Sequence, residues 1–162
     1  MKKFIFPIAM LIAVAGVCQT AQLERFDKKK LSLTKAQWKE RLTPEQFQVM
    51  RQREADPPFK NAYCDNKRQG IYQCAACSLP LFSSEKKYSA GTGWPSFWMP
   101  IFSENVKLRG GLNPFSSSKE VVCSRCEGHI GDVYNDGPLP SGKRYCTNST
   151  ALNFIETSRD AN

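Results

Sequence analysis

The chain has 162 residues, 41% of them hydrophobic and 23% charged, which is enough for one domain with its own core and is not the composition of a disordered chain. Its formal net charge is +8, but the one basic run, Lys28-Lys29-Lys30, precedes the expected domain and the other cations are scattered. A solvated basic surface is expected, and a nucleic-acid groove is not.

Residues 1–18 have the layout of an export signal: Lys2 and Lys3, an uncharged stretch from Phe4 to Val17, small residues near its end, then a polar run from Gln19. The apolar stretch is short for a membrane span and no stop-transfer pattern follows it, so a retained anchor is the lesser alternative. A lipoprotein acylated on Cys18 is a third, disfavoured because Val17 stands where a small residue belongs. Cleavage between about Ala15 and Ala21 is expected, with export to a bacterial periplasm. Loss of residues 1–18 removes two lysines and no acid, taking the charge from +8 to +6, and leaves six of the seven cysteines.

Residues 19–33 read as a flexible leader, residues 34–156 as the domain and residues 157–162 as a tail. Structure is expected to start near Thr34, with Trp38 and Leu42 on one helical face. A second helix begins with Thr43 as N-cap, Pro44 at the first helical position and Gln46 as capping-box partner; it buries Phe47 and Met50 and ends at Asp56-Pro57-Pro58. After Phe59 come short β-favouring runs: Gly70 to Gln73, Asn105 to Leu108, Glu120 to Cys123, Gly131 to Tyr134 and Arg144 to Ile155. The turn Asn135-Asp136-Gly137-Pro138 leads through Leu139-Pro140-Ser141-Gly142 into the last of them. The fold class is therefore mainly β and antiparallel, with short N-terminal helices.

A period of two over the last run places Arg144, Cys146 and Asn148 on one face, with Leu152 and Phe154 further along it. A cation beside a thiol favours the thiolate and lowers the pKa from about 8.5; the same pattern also describes a small buried residue in a core strand. Cys74-x-x-Cys77 and Cys123-x-x-Cys126 lie among turn-forming residues, and two such pairs can supply the four thiolates of a tetrahedral zinc. The long gap between the pairs requires a sheet to bring them together. Two disulfides are the alternative in an exported chain, although a bridge within either pair closes a strained ring. Gly91-Thr92-Gly93-Trp94-Pro95-Ser96-Phe97-Trp98 sets aromatics among backbone-permissive residues, either as a turn pinned by the core or as the wall of a pocket. His129, the chain's single histidine, follows the second Cys pair and is the one side chain with an unperturbed pKa near neutrality.

From about Trp38 to Phe154 these motifs, in their order and spacing, closely resemble the methionine-R-sulfoxide reductases of the B type. The residues that carry the resemblance are Leu42-Thr43-Pro44-Glu45-Gln46, Pro58-Phe59, the two Cys pairs, Gly93-Trp94-Pro95-Ser96-Phe97, His129-Ile130-Gly131, Asp136-Gly137-Pro138 and Arg144-Tyr145-Cys146-Thr147-Asn148-Ser149. The resemblance implies two antiparallel sheets in a tent-like arrangement, with one structural zinc on Cys74, Cys77, Cys123 and Cys126 away from the chemistry. It implies reduction of the R epimer of methionine sulfoxide, in oxidised proteins or as the free amino acid. Cys146 would attack the sulfoxide sulfur and end as a sulfenic acid. Arg144 would favour its thiolate, His129 and Asn148 would position or polarise the sulfoxide, and Trp94, Phe97, His129 and Asp132 would bind the substrate, with the indole on the methyl group.

Two positions depart from the family pattern. The second histidine usual three residues after the first is Asp132 here, a poor acid at neutral pH unless its pKa is raised, so the acid role is expected of His129, the alternatives being an Asp132 protonated in the complex or low activity. The resolving cysteine that many relatives carry before Trp-Pro-Ser-Phe is Thr92 here. The spare Cys64, in a segment where some members place the resolving thiol, is expected to form the disulfide with Cys146, recycled by a thioredoxin-like reductant that an exported chain would meet outside the cytoplasm. A monomer is expected. The competing readings are a zinc-stabilised binding module with an inert thiol and a disulfide-stapled secreted domain; neither gives a reason for Arg144, Cys146 and His129 in their motif positions.

Overall fold

The computed structural model describes residues 23–110 and 117–157; the expected export signal, Cys18 and all but the first residue of the expected tail lie outside them. Two capping boxes start the helices α1 (Lys35–Arg41) and α2 (Pro44–Gln52). Thr34 and Thr43 each accept from the backbone three residues on, at Gln37 and Gln46, whose side chains bond back to the threonine N–H. Trp38 and Leu42 are buried, as are Phe47, Val49 and Met50. α2 ends earlier than the expected Asp56-Pro57-Pro58 boundary, because Arg53 takes a left-handed φ of 66° as its C-cap.

Nine strands follow among the described residues: β1 (Gly70–Cys74), β2 (Pro80–Ser83), β3 (Lys87–Tyr88), β4 (Ser96–Phe97), β5 (Val106–Arg109), β6 (Lys119–Cys123), β7 (His129–Tyr134), β8 (Arg144–Thr147) and β9 (Leu152–Glu156). They form a three-stranded sheet in the order β2-β1-β9 and a six-stranded sheet in the order β3-β4-β8-β7-β6-β5, and the pairings are antiparallel. The mainly β class with short N-terminal helices is as expected.

The run Arg144 to Ile155, expected as one strand, is two strands in different sheets. After Thr147 the Asn148 N–H donates to Ile130 O (2.8 Å), a 3-10 turn over Ser149–Ala151 redirects the chain, and Ala151 O accepts from Ala75 N (3.0 Å). β9 then pairs with β1, so Leu152 and Phe154 do not continue the Cys146 face. β2, β3 and β4, none of them expected, are short, and β2 opens on a proline.

Tyr72, Phe82 and Phe97 are fully buried, with Phe82 and Phe97 stacked at 4.5 Å and Tyr72 edge-on to Phe97 at 5.0 Å. This corrects Phe97 as a substrate-binding residue. On β4 it alternates with Ser96, which faces Cys146, so the Phe97 ring goes to the opposite face and into the core. The leader expected to be flexible carries no helix or strand over residues 23–33 but lies along the second Cys pair. Phe26 N donates to Asn105 Oδ1 (2.7 Å), Leu31 N to Arg125 O (2.9 Å) and Lys30 Nζ to Ser124 O (2.8 Å).

Candidate active site

Cys74 to Leu79 links β1 to β2 in one sheet, and Cys123 to Gly128 links β6 to β7 in the other; the two turns are built alike. In each, the first cysteine N–H donates five residues on (Cys74 to Leu79 O, Cys123 to Gly128 O, both 2.9 Å), and its carbonyl accepts from the residue four on (Ser78 N 2.8 Å, Glu127 N 2.9 Å). Ser78 and Glu127 close the turns at φ 59° and 57°. The four sulfurs lie within 4.8 Å of one another, with Cys74 to Cys126 at 3.6 Å and Cys77 to Cys123 at 3.5 Å. Thiolates at about 2.3 Å from a tetrahedral ion stand about 3.8 Å apart, so the cage fits one metal ion, and the cysteines are free thiols where the alternative asked for disulfides. Cys64 and Cys146 are free as well.

β7 leaves the second turn directly at His129 and runs antiparallel to β8, with Asp132 opposite Cys146 and Gly131 opposite Thr147. Gly131 permits this approach: a Cβ there would meet Cys146 O at 2.0 Å. Arg53, Ala55, Trp94, His129, Gly131, Asp132, Tyr134, Cys146, Thr147 and Asn148 line one cleft of about 270 Å³. Five of the expected site residues, Trp94, His129, Asp132, Cys146 and Asn148, therefore meet in one place.

Three of them, His129, Trp94 and Asn148, are held by specific partners. His129 Nδ1 lies 3.0 Å from Glu120 Oε1, both side chains being almost wholly buried, and Glu120 is also 3.2 Å from Arg53 Nε. A carboxylate only accepts, so Nδ1 carries the hydrogen and Nε2 is the nitrogen left free. Trp94 Nε1 donates to Asp56 O (2.8 Å), Asp56 N donates to Asn148 Oδ1 (2.9 Å), and Thr150 N donates to Asp56 Oδ2 (2.9 Å). The buried Asp56 thus ties the indole to the corner that ends β8. Asn148 Oδ1 is engaged by that backbone contact, and its Nδ2 reaches Ile130 O at 3.4 Å.

Arg144 acts on Cys146 in the expected direction and has other partners besides. It makes a two-point contact with Asp136 (Nε to Oδ1 2.9 Å, Nη2 to Oδ2 2.8 Å) and stacks over Tyr134 at 4.3 Å. Its charge still acts on Cys146, but burial dominates and pushes that thiol up; Arg144 and the Thr92 hydroxyl pull it down, and Asp132 pushes it up further. Burial likewise raises the Asp132 carboxyl, against the pull of His129 and Arg53 and with a smaller push from Glu120. An acid whose protonated form persists above the usual carboxylate range can donate a proton or a hydrogen bond in this cleft.

Cys64 is not brought into it. It lines a separate cleft of about 430 Å³ with Asp65, Lys87 and Tyr88, and burial, then Asp65, raise its thiol while Lys87 lowers it. Glu120, Arg53, Asp56 and Tyr134 went unassigned in the sequence. For Glu120 a signal existed: a carboxylate alternating with Val122 in a strand has to find a buried partner.

A family model described as the SelR domain matches residues 42–156. The chain is similar to the peptide methionine sulfoxide reductase MsrB of Methanosarcina barkeri, 49% identical over 127 residues that cover 78% of this chain and 89% of that protein. It is 47% identical over 131 residues to the mitochondrial methionine-R-sulfoxide reductase B2 of Homo sapiens, covering 76% and 72%. It is 41% identical over 132 residues to the MsrB of Hahella chejuensis, covering 82% and 95%.

Proposed function

The chain belongs to the SelR-domain family of methionine-R-sulfoxide reductases, and from that premise we propose that it reduces the R epimer of methionine sulfoxide, in proteins or free, on Cys146. The observation that supports this most is the meeting of Trp94, His129, Asp132, Cys146 and Asn148 in one cleft. The Cys146 thiolate attacks the sulfoxide sulfur while His129, through Nε2, delivers a proton to the sulfoxide oxygen. Trp94 packs on the methyl group, and Asn148, fixed by Asp56, walls the cleft beside the sulfoxide. Oxygen passes from substrate to enzyme: the sulfoxide is reduced to the thioether, and the thiol is oxidised by two electrons to a sulfenic acid.

The Cys64 thiol then condenses with the sulfenic acid, releasing water and forming a disulfide, which a thioredoxin-like dithiol reduces back to two thiols. Because Cys64 and Cys146 line different clefts, this step moves the loop that carries Cys64 toward Cys146. Cys64→Ser is expected to keep single-turnover reduction and lose thioredoxin-driven turnover. Cys74, Cys77, Cys123 and Cys126 would hold a zinc ion, which supplies no chemistry to the reaction and ties the two sheets together.

The direct test is epimer-resolved consumption of racemic methionine sulfoxide with dithiothreitol as reductant. The R epimer is expected to disappear while the S epimer stays; consumption of neither by the folded protein refutes the assignment. With Cys146→Ser, consumption of the R epimer is expected to cease.

A further inference from the structure

Arg53 lines the Cys146 cleft although no sequence motif points to it. It closes α2 in a left-handed backbone conformation, φ 66°, which is costly for a residue with a Cβ and recurs where a side chain has to be held at a functional site. From there its Nε stands 3.2 Å from Glu120 Oε1. Glu120 is almost wholly buried and 3.0 Å from His129 Nδ1, so one carboxylate fixes the guanidinium and the imidazole side by side. That contact uses Nε. Among the described residues the terminal nitrogens Nη1 and Nη2 have no hydrogen-bond or ion-pair partner, and the side chain is 41% exposed. Asp132, the acid that shares the cleft, makes no ion pair with Arg53, and burial holds it toward its protonated form.

A planar guanidinium anchored through Nε, with both terminal nitrogens open, is arranged for a two-point contact with a carboxylate. The cleft, about 270 Å³, lies below the roughly 300–1,000 Å³ of sites that take drug-sized ligands and suits a molecule the size of one amino acid. Resting on the reductase reading, with Cys146 as the nucleophile, we propose that Arg53 is a specificity-determining residue that binds the α-carboxylate of free methionine sulfoxide. With the sulfur at Cys146 and the sulfoxide oxygen toward His129 Nε2, the short carbon chain of methionine carries the carboxylate to the wall that His129 and Arg53 share. Within a polypeptide the same carboxyl is an amide, which offers the guanidinium only an uncharged acceptor. The free amino acid therefore gains a contact that an internal residue of a protein lacks.

The test compares two small substrates of R configuration at sulfur, L-methionine sulfoxide and its carboxamide, on the metal-loaded chain with dithiothreitol as reductant. The acid is expected to have a KM about tenfold below that of the amide at similar kcat. Arg53→Gln should raise the KM of the acid about tenfold and bring the two substrates together, and Arg53→Lys, which keeps the charge without the fork, should recover part of the difference. An effect carried only through Glu120 and His129 would lower kcat on both substrates alike and leave their ratio unchanged. That outcome overturns the proposal, as do equal KM values in the parent. Binding of the same two compounds to Cys146→Ser, measured by isothermal titration calorimetry, needs no turnover. A preference for the acid that Arg53→Gln abolishes supports the carboxylate site, and a parent that forms no methionine then counts against the reductase assignment alone. Equal binding of the two compounds, or binding of neither, overturns the site.

Discussion

The Cys-x-x-Cys turns and the cleft around Cys146 are joined by one strand, β7, yet their polar groups are arranged in opposite ways. At the turns the first cysteine of each pair repeats the same two backbone hydrogen bonds, and the four sulfurs face one another at distances that fit a single metal ion. In the cleft, polar groups are buried but kept available. His129 engages one ring nitrogen and leaves the other, and burial holds Asp132 toward its protonated form. A resident ion lets every ligand be satisfied at rest, whereas a transient reaction requires groups whose partner arrives later.

The largest effect should come from breaking the closed side. A structural zinc of this kind contributes on the order of 10 kcal/mol, comparable with the whole stability of a domain. Cys123→Ala leaves three ligands and is expected to unfold the protein, with loss of bound metal by elemental analysis and of the cooperative melt by circular dichroism. An unchanged melting curve would show that the turns hold without an ion. Next comes His129→Ala in the cleft. Removing a positioned acid should lower the turnover number by about 10² to 10⁴ with the melting temperature nearly unchanged. A variant of either site that failed in the other's manner would break the contrast between them.

The closed side was readable in the sequence because its information is local. Two-residue Cys spacing and surrounding turn formers describe each turn on its own, as Thr43-Pro44-Glu45-Gln46 describes the start of α2. The cleft depends on register, which no single stretch contains. The alternation from Arg144 onward placed Arg144 and Cys146 correctly but continued through Asn148, where a side chain–backbone tie and a 3-10 turn carry the chain into another sheet. Phe97 sits in a motif beside Trp94, yet one step along a strand reverses the face, and the ring joins the core. Glu120 meets His129 only because β6 shifts register between Val121 and Val122.

Glu120→Gln should therefore have an intermediate effect. The amide can still accept from His129 Nδ1, but Arg53 loses its ionic partner. Turnover is expected to fall roughly tenfold, less than with His129→Ala, because the imidazole and an acceptor for its Nδ1 both remain. Equal losses in the two variants would mean that the Glu120–Arg53 ion pair is what holds the ring in place.

The smallest effects should come from two carboxylates around Cys146, and their sign runs opposite to damage. Asp132, once ionised, opposes the thiolate, so Asp132→Asn should move the Cys146 alkylation midpoint down and speed alkylation at neutral pH by about two- to threefold. Its effect on turnover should be milder than that of His129→Ala. Asp136 acts through Arg144. It is exposed, and the guanidinium holds its carboxyl below the usual carboxylate range. Asp136→Asn removes the countercharge and leaves more of the Arg144 field at the sulfur, which should also lower the midpoint, by less than Asp132→Asn because solvent screens the exposed pair. The gain should shrink further at 0.5 M salt, while that of Asp132→Asn, from a half-buried group, should persist. A midpoint that rises in Asp136→Asn would show that the carboxylate's main work is to hold Arg144 in place beside Cys146, so that losing the anchor costs the thiolate more than losing the countercharge returns.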